Sequence, residues 1–126
     1  MKKIIQTDQA PAAIGAYSQA VQVNNMLYIS GQIPLNAKTM QVVSGDFEQQ
    51  TKQVFENLSA ILKAANADFS NVVKLTIYLR DMDQFAIVNT VMATYFQKPY
   101  PARAVVEVSR LPKEAVIEMD AIAALT

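Results

Sequence analysis

The sequence contains no cysteine and no histidine. The first absence removes disulfides, thiolate nucleophiles and cysteine metal sites. The second excludes more, because a Ser-His-Asp triad, a histidine-ligated zinc and a histidine acid–base pair all need imidazole. Net charge is also missing: 11 basic and 11 acidic residues cancel. Apart from Lys2 and Lys3 the basic residues are scattered, so no electrostatic footprint for nucleic acid or an anionic membrane is present. No apolar run approaches membrane-spanning length. Only Ile4 and Ile5 separate Lys3 from the polar stretch Gln6 to Gln9, too little for the apolar region of a signal peptide. The expectation is a soluble cytoplasmic protein whose chemistry rests on Arg, Lys, Glu, Asp, Tyr, Ser or backbone groups, with no metal.

Apolar residues, by contrast, make up 52% of the 126. That length predicts one domain spanning residues 1–126, able to bury roughly two-thirds of its unfolded surface. The apolar share exceeds what one small core needs, which points to a homo-oligomer.

Lys2–Ile5 reads as a short strand, and Thr7–Tyr17 has loop composition. Ala20–Val23 and Met26–Ser30 form a hairpin around Asn24-Asn25, since Asn tolerates positive φ. Ser30-Gly31 ends the hairpin, with a glycine that lets backbone come close to a ligand or another chain. Asp46 and Gln49 make a capping-box pattern. Beyond them Phe47, Val54, Phe55, Leu58, Ile61, Leu62 and Ala65 share one helical face. Val72–Leu79 is a strand with Val73, Leu75, Ile77 and Leu79 on one side. Its mixed second side fits a sheet covered by helices on one face and by another subunit on the other. Asp81 or Asp83 caps a second helix with the buried stripe Phe85, Val88, Met92, Tyr95 and Phe96. Asn89 falls on that stripe, so its amide is either a satisfied core group or faces a cavity. Pro99 and Pro101 stop the helix, and strands Ala102–Val108 and Val116–Ala124 close the chain. Two successive strand–helix–strand units predict an α+β sandwich with both helices on one face.

The last two strands are rich in Val and Ile, yet each carries a charge an apolar strand does not need: Arg103 in one, Glu118 in the other. A buried charge requires a partner, a ligand or a route to water. We read the two as marking a small-molecule site; a structural ion pair or a half-exposed face is the alternative from the same residues. Glu118 and Asp120 lie on one face of their strand, roughly 7 Å apart; without a partner surface the pair alone does not support a glycosidase reading. Glu107 reads as structural, and Arg80 and Arg110 as solvated turn residues.

Four collinear motifs carry a family resemblance: Ile14-Gly15-Ala16-Tyr17-Ser18-Gln19-Ala20, Ser30-Gly31-Gln32-Ile33-Pro34, Val88-Asn89, and the C-terminal set Pro101-Ala102-Arg103, Leu111-Pro112, Ile117-Glu118-Met119 and Ala121-Ile122-Ala123. Together they resemble the Rid (YjgF) family of reactive intermediate deaminases. The resemblance implies a chorismate-mutase-like fold, a mixed sheet of about six strands with two helices on one face, and a homotrimer with clefts between subunits. It implies hydrolysis of 2-imino acids such as 2-iminobutanoate and 2-iminopropanoate, and of their enamine tautomers, to 2-keto acids and ammonia, without a cofactor. Arg103 matches the arginine that holds the substrate carboxylate, a planar fork able to pair both oxygens. Glu118 matches the acid that places the attacking water. Apolar surroundings would raise its pKa and a nearby arginine would lower it. Tyr17, Ser30, Gly31 and Asn89 match pocket residues. Many members carry cysteine where this chain has Val105, which leaves only the backbone N–H there as a second carboxylate donor. Many also carry proline where this chain has Ala16, which loosens the Tyr17 loop. The alternatives are a non-catalytic trimer that binds keto acids as signals, and an endoribonuclease or translation inhibitor. The lack of histidine and of a basic, aromatic-lined surface argues against the last.

Overall fold

In the last strand Ile117, Met119, Ala121 and Ala123 alternate with Glu118, Asp120, Ile122 and Ala124. This period of two gives β6 (Ile117–Ala124) one fully buried face and one half-open face. The computed structural model describes residues 1–126. It places β6 at the centre of a six-stranded mixed sheet with the order β1-β2-β3-β6-β4-β5. The other strands are β1 (Lys2–Ile5), β2 (Ala20–Val23), β3 (Met26–Gln32), β4 (Val72–Leu79) and β5 (Ala102–Glu107). Both strand–helix–strand units are present. The first runs β3–α1–β4 and the second β4–α2–β5, and β6 inserts antiparallel between β3 and β4. Only β4 and β5 pair in parallel.

Helix α1 (Phe47–Ala64) begins as its sequence dictates. The Asp46 carboxylate accepts from the Gln49 N–H and the Gln49 side chain accepts from the Asp46 N–H, the two halves of a capping box. It ends on Asn66, whose φ of 59° supplies the left-handed residue that commonly closes a helix. Val54, Phe55, Leu58, Ile61 and Leu62 are buried against the sheet. Helix α2 (Phe85–Tyr95) lies beside it and buries Val88, Val91 and Met92. Phe55, Phe69, Tyr95 and Phe96 join the helices in one aromatic cluster; the Phe55 and Tyr95 rings stack with centroids 4.9 Å apart. No helix is long and apolar enough to cross a membrane.

Three local expectations are corrected. In β4 the register shifts between Val72 and Lys74, so Val72 is buried and Val73 is exposed; a bulge breaks the alternation at that end. Asp81 caps a 3₁₀ turn over Met82–Gln84 by accepting from the Asp83 N–H, and α2 then starts from Gln84 without a side-chain cap. The first hairpin extends past Ser30 to Gln32. Arg80 and Arg110 are exposed, and Glu107 is structural: its Oε1 accepts the Met82 N–H at 2.8 Å.

Cross-strand register defines what lies opposite the helices. One row runs Ile4, Val21, Tyr28, Ile122, Lys74 and Ala102; another joins Glu118, Tyr78 and Val106. Ile4, Val23, Tyr28 and Val106 stand exposed on this side. The chain thus leaves an apolar sheet face without a cover, more than scattered single residues would give.

Candidate functional site

The candidate residues fall into two clefts. The first, of about 650 Å³, is lined by Tyr17, Ser30, Gly31 and Glu118 together with Gln19 and Lys113. The second, of about 530 Å³, is lined by Arg103, Asn89, Met92 and Tyr100. Val105 lines neither; its side chain packs partly buried against the core.

The first cleft is built by irregular backbone. Ser30 and Gly31 occupy a register shift where β3 leaves β6 between Ile29 and Gln32. A methyl group added at Gly31 would collide with Glu118 Oε2. The φ of Gly31 is not positive, so glycine here provides space rather than conformation. The Ser30 hydroxyl donates to the Ser18 carbonyl at 2.6 Å, and the Ser30 N–H donates to the Gln19 carbonyl at 3.0 Å. Ser30 therefore ties the loop to the sheet, and only its lone pairs are left for a ligand. Tyr17 is 52% exposed, and its hydroxyl accepts the Ile14 N–H at 3.4 Å within the same loop.

Two supports of this cleft were not singled out from the sequence. Gln19 is buried, and its amide knits the preceding loop. Oε1 accepts the Thr7 N–H at 2.7 Å, while Nε2 donates to the carbonyls of Thr7 at 3.0 Å and Pro11 at 2.8 Å. Asn57, buried on α1, donates to the carbonyls of Ile33 and Leu35 at 3.2 and 3.1 Å and so fixes the cleft floor. A lone Gln before a strand and an Asn on a helix carry no pattern that forecasts such contacts. Lys113, also outside the sequence reading, reaches the cleft from a turn in which it and Glu114 both hold φ of 55°.

Glu118 makes no side-chain hydrogen bond or ion pair within the chain. Burial pushes its carboxyl above the usual range, and the like charge of Asp120 adds to the effect. Asp120 in turn accepts the Tyr78 hydroxyl at 2.9 Å. That bond, with burial and the two nearby carboxylates, raises the Tyr78 phenol.

The second cleft is built by one helix face. Phe85, Asn89 and Met92 are four and then three residues apart, so they share a stripe of α2, and Arg103 lies across all three. Its Nη1 donates to Asn89 Oδ1 at 2.5 Å and to Met92 Sδ at 3.7 Å. Its guanidinium carbon sits 5.2 Å from the Phe85 ring centroid, within cation–π range. Asn89 is exposed and bonded to Arg103, so the core alternative for its amide does not hold. Phe85 and Met92 were expected only as core. They have this second role because a helical stripe cannot tell by its period whether a sheet or a side chain covers it. The guanidinium has no acidic partner in the chain. β5 is an edge strand and Arg103 is exposed there. Within one chain Arg103 therefore has a route to water and forms no structural ion pair.

Register decides how the clefts relate. Arg103 pairs with Leu75, and Leu75 with Ala121, all on the helix-covered face. Glu118 pairs with Tyr78, and Tyr78 with Val106, on the opposite face. One chain therefore holds its candidate anion binder and its candidate proton acceptor on opposite sides of one sheet.

Comparison with known proteins fits this architecture. The family model described as Endoribonuclease L-PSP matches residues 7–125. A RutC family protein of Pyrococcus horikoshii is 53% identical over 123 residues, covering 98% of each chain. A mouse (Mus musculus) protein named 2-iminobutanoate/2-iminopropanoate deaminase is 50% identical over 123 residues, 98% of this chain and 91% of the mouse protein. The crystal structure of RidA from an Antarctic Psychrobacter superposes with a TM-score of 0.94 at 47% identity, covering 98% of this chain and 99% of that one. The six-stranded mixed sheet, the two helices on one face and these matches agree, and the chain belongs to the Endoribonuclease L-PSP family, that of the Rid (YjgF) proteins.

Proposed function

We propose that this protein hydrolyses small 2-imino acids, 2-iminobutanoate and 2-iminopropanoate with their enamine tautomers, to 2-keto acids and ammonia. We further propose that it does so as a homotrimer whose sites form between copies. The observation that carries the reading is the placement of Arg103 and Glu118 on opposite faces of one sheet, each beside an open cleft. A second copy laid on the uncovered sheet face brings one chain's Arg103 cleft against the other's Glu118 cleft. The exposed Ile4, Val23, Tyr28 and Val106 give that contact its apolar area. The name of the mouse relative supports the choice of substrate.

In this reading Arg103 pairs the substrate carboxylate through its fork, pre-aimed by Asn89, Met92 and Phe85. The Val105 N–H on the same edge strand is a second donor. Glu118, seated against Gly31, takes a proton from water as the water oxygen bonds to the imine carbon and the C=N pair moves to nitrogen. Glu118 returns that proton to nitrogen to give the carbinolamine; it then carries the hydroxyl proton to nitrogen as the C–N bond breaks, so ammonia leaves and the ketone remains. Imine carbon is already electrophilic, so positioning and one placed base supply most of what the step needs. Tyr17 walls the cleft, and Ser30 offers lone pairs beside the water.

The test is turnover of 2-iminobutanoate made in situ by a threonine dehydratase. Wild type accelerates keto-acid release, and Arg103→Ala loses about a hundredfold or more of kcat/KM, as expected when a charged partner of a buried carboxylate is removed. Equal activity in the variant removes Arg103 from its role. Keto-acid binding with no acceleration of imine decay by wild type would instead favour the regulatory trimer.

A further inference from the structure

Glu118 has an immediate cross-strand neighbour that could satisfy it and does not. Tyr78 is its direct register partner on the adjacent strand. Groups in that position have Cβ atoms close enough for side chains to bond. Yet the Tyr78 hydroxyl donates instead to Asp120 Oδ2 at 2.9 Å, on the diagonal. Asp120 stands two residues along β6 on the same half-open face as Glu118. A phenol that donates to a carboxylate favours the charged form of that carboxylate. The outcome is one carboxylate fixed by a hydrogen bond beside another left without any.

We propose that the Tyr78–Asp120 pair is an electrostatic support for Glu118: its fixed negative charge makes Glu118 a stronger proton acceptor for the attacking water. Asp120 and Tyr78 are positioning residues in this scheme and touch no substrate. The inference rests on Glu118 acting as the base of the proposed hydrolysis. The charged and titratable groups that face Glu118 are few. Strand β4 brings Tyr78 and, two rows further, Lys74; β3 brings Tyr28 on the Lys74 row; β6 brings Asp120; the turn before β6 brings Lys113; and the loop across the cleft brings Tyr17. Lys113 and the Arg103 of a second copy act against Asp120, since positive charge favours ionised Glu118. Asp120 keeps the carboxylate basic in spite of them. The raised position of the Glu118 carboxyl, to which the Asp120 charge contributes, accords with this.

The test reads the Glu118 side chain directly and without substrate. In the intact oligomer, carbon-13 labelling of glutamate Cδ gives a titration curve for Glu118, assigned by its loss in Glu118→Gln. In Asp120→Asn the Glu118 midpoint moves to lower pH, and in Asp120→Glu it stays near the wild-type value. A midpoint unchanged in Asp120→Asn overturns the proposal. Should Asp120→Asn fail to assemble, Tyr78→Phe with Asp120→Ala removes the charge without stranding a hydroxyl, and the same two outcomes decide. Where imine turnover is present, its acid limb follows the same shift, with about threefold more activity in Asp120→Asn at a pH below the wild-type midpoint, a modest like-charge effect. A protein that shows the midpoint shift but turns over no imine leaves the Asp120 inference standing and sinks the hydrolase reading, so the two failures are separable.

Discussion

The Arg103 cleft and the Glu118 cleft are made by opposite means. The first rests on regular structure: three side chains of one helix stripe lie under one guanidinium on an edge strand. The second rests on irregular structure: a register shift in β3, a glycine with no room for a methyl group, and a loop held by one buried amide. The regular half fixes a guanidinium in place at the sheet edge. The irregular half hollows out space for a small molecule beside a carboxylate. Their separation by the sheet is the reason for proposing that the two halves act together only across a contact between copies, one that also covers the apolar face.

The largest effect comes from breaking the two halves in different molecules. Arg103→Ala and Glu118→Gln are each expected to be nearly inactive alone. When the two are unfolded together and reassembled at equal ratio, one interface in four joins an intact Arg103 to an intact Glu118 in the right order. Activity then returns to about a quarter of wild type, as closed cyclic symmetry requires. No recovery in a mixture that forms trimers by light scattering would place both residues' work within one chain, against the register.

A smaller effect separates space from charge. In Gly31→Ala the Glu118 carboxylate has to swing away from its seat. It is the far end of a flexible side chain, so stability changes little. A misplacement of this size at a base is worth about tenfold to a hundredfold in rate. The expected result is a fall in kcat with keto-acid affinity kept within about threefold, measured by steady-state kinetics and calorimetry. The mirror case is Asn89→Ala, which removes the hydrogen bond that aims Arg103. About a tenfold loss is expected, from a single bond to a charged group, and it should appear as weaker keto-acid binding. If both variants lose kcat and affinity alike, the division of labour between the clefts is wrong.

Much of this was legible in the sequence. Strand periods of two and helix periods near 3.6 gave both strand–helix–strand units, and the capping box at Asp46 marked the start of α1. Arg103 and Glu118 stood out because a charge in a Val- and Ile-rich strand asks for a reason. What was not legible is what register decides. A period of two says that Arg103 and Glu118 each face one side, but it does not say whether the sides agree; only the pairing through Leu75 and Tyr78 does. The bulge at Val72 reversed one end of β4 for the same reason. Gln19 from a loop and Asn57 from a helix bond to distant backbone, and Lys113 reaches the cleft from a turn; no local pattern announces such tertiary contacts. Phe85 and Met92 were visible as a stripe, but the side chain lying across it was not.

The smallest effect concerns stability, and it distinguishes the clefts by their dependence on pH. Burial first, and the Asp120 charge second, hold the Glu118 carboxyl above its ordinary value. The folded chain therefore keeps this proton to a higher pH than the unfolded chain does. As pH rises from the ordinary carboxylate range through the raised midpoint, the unfolded state loses its proton first, and folding stability falls. Glu118→Gln has no such proton to lose. At neutral pH the variant is expected to melt about 1–2 °C above wild type, a modest gain because Glu118 is only half-buried and solvent screens it. Near pH 4 the two curves converge. Melting points recorded from pH 4 to 8 at one fixed protein concentration check this, since assembly makes stability concentration-dependent. Arg103→Ala takes a positive charge from the Glu118 cleft of the neighbouring copy in the proposed assembly, so its deficit against wild type is expected to grow as pH rises through the Glu118 midpoint. A Glu118→Gln variant that melts below wild type at neutral pH would mean that the ionised carboxylate is already well satisfied, which is incompatible with a base left deliberately unbonded beside Gly31.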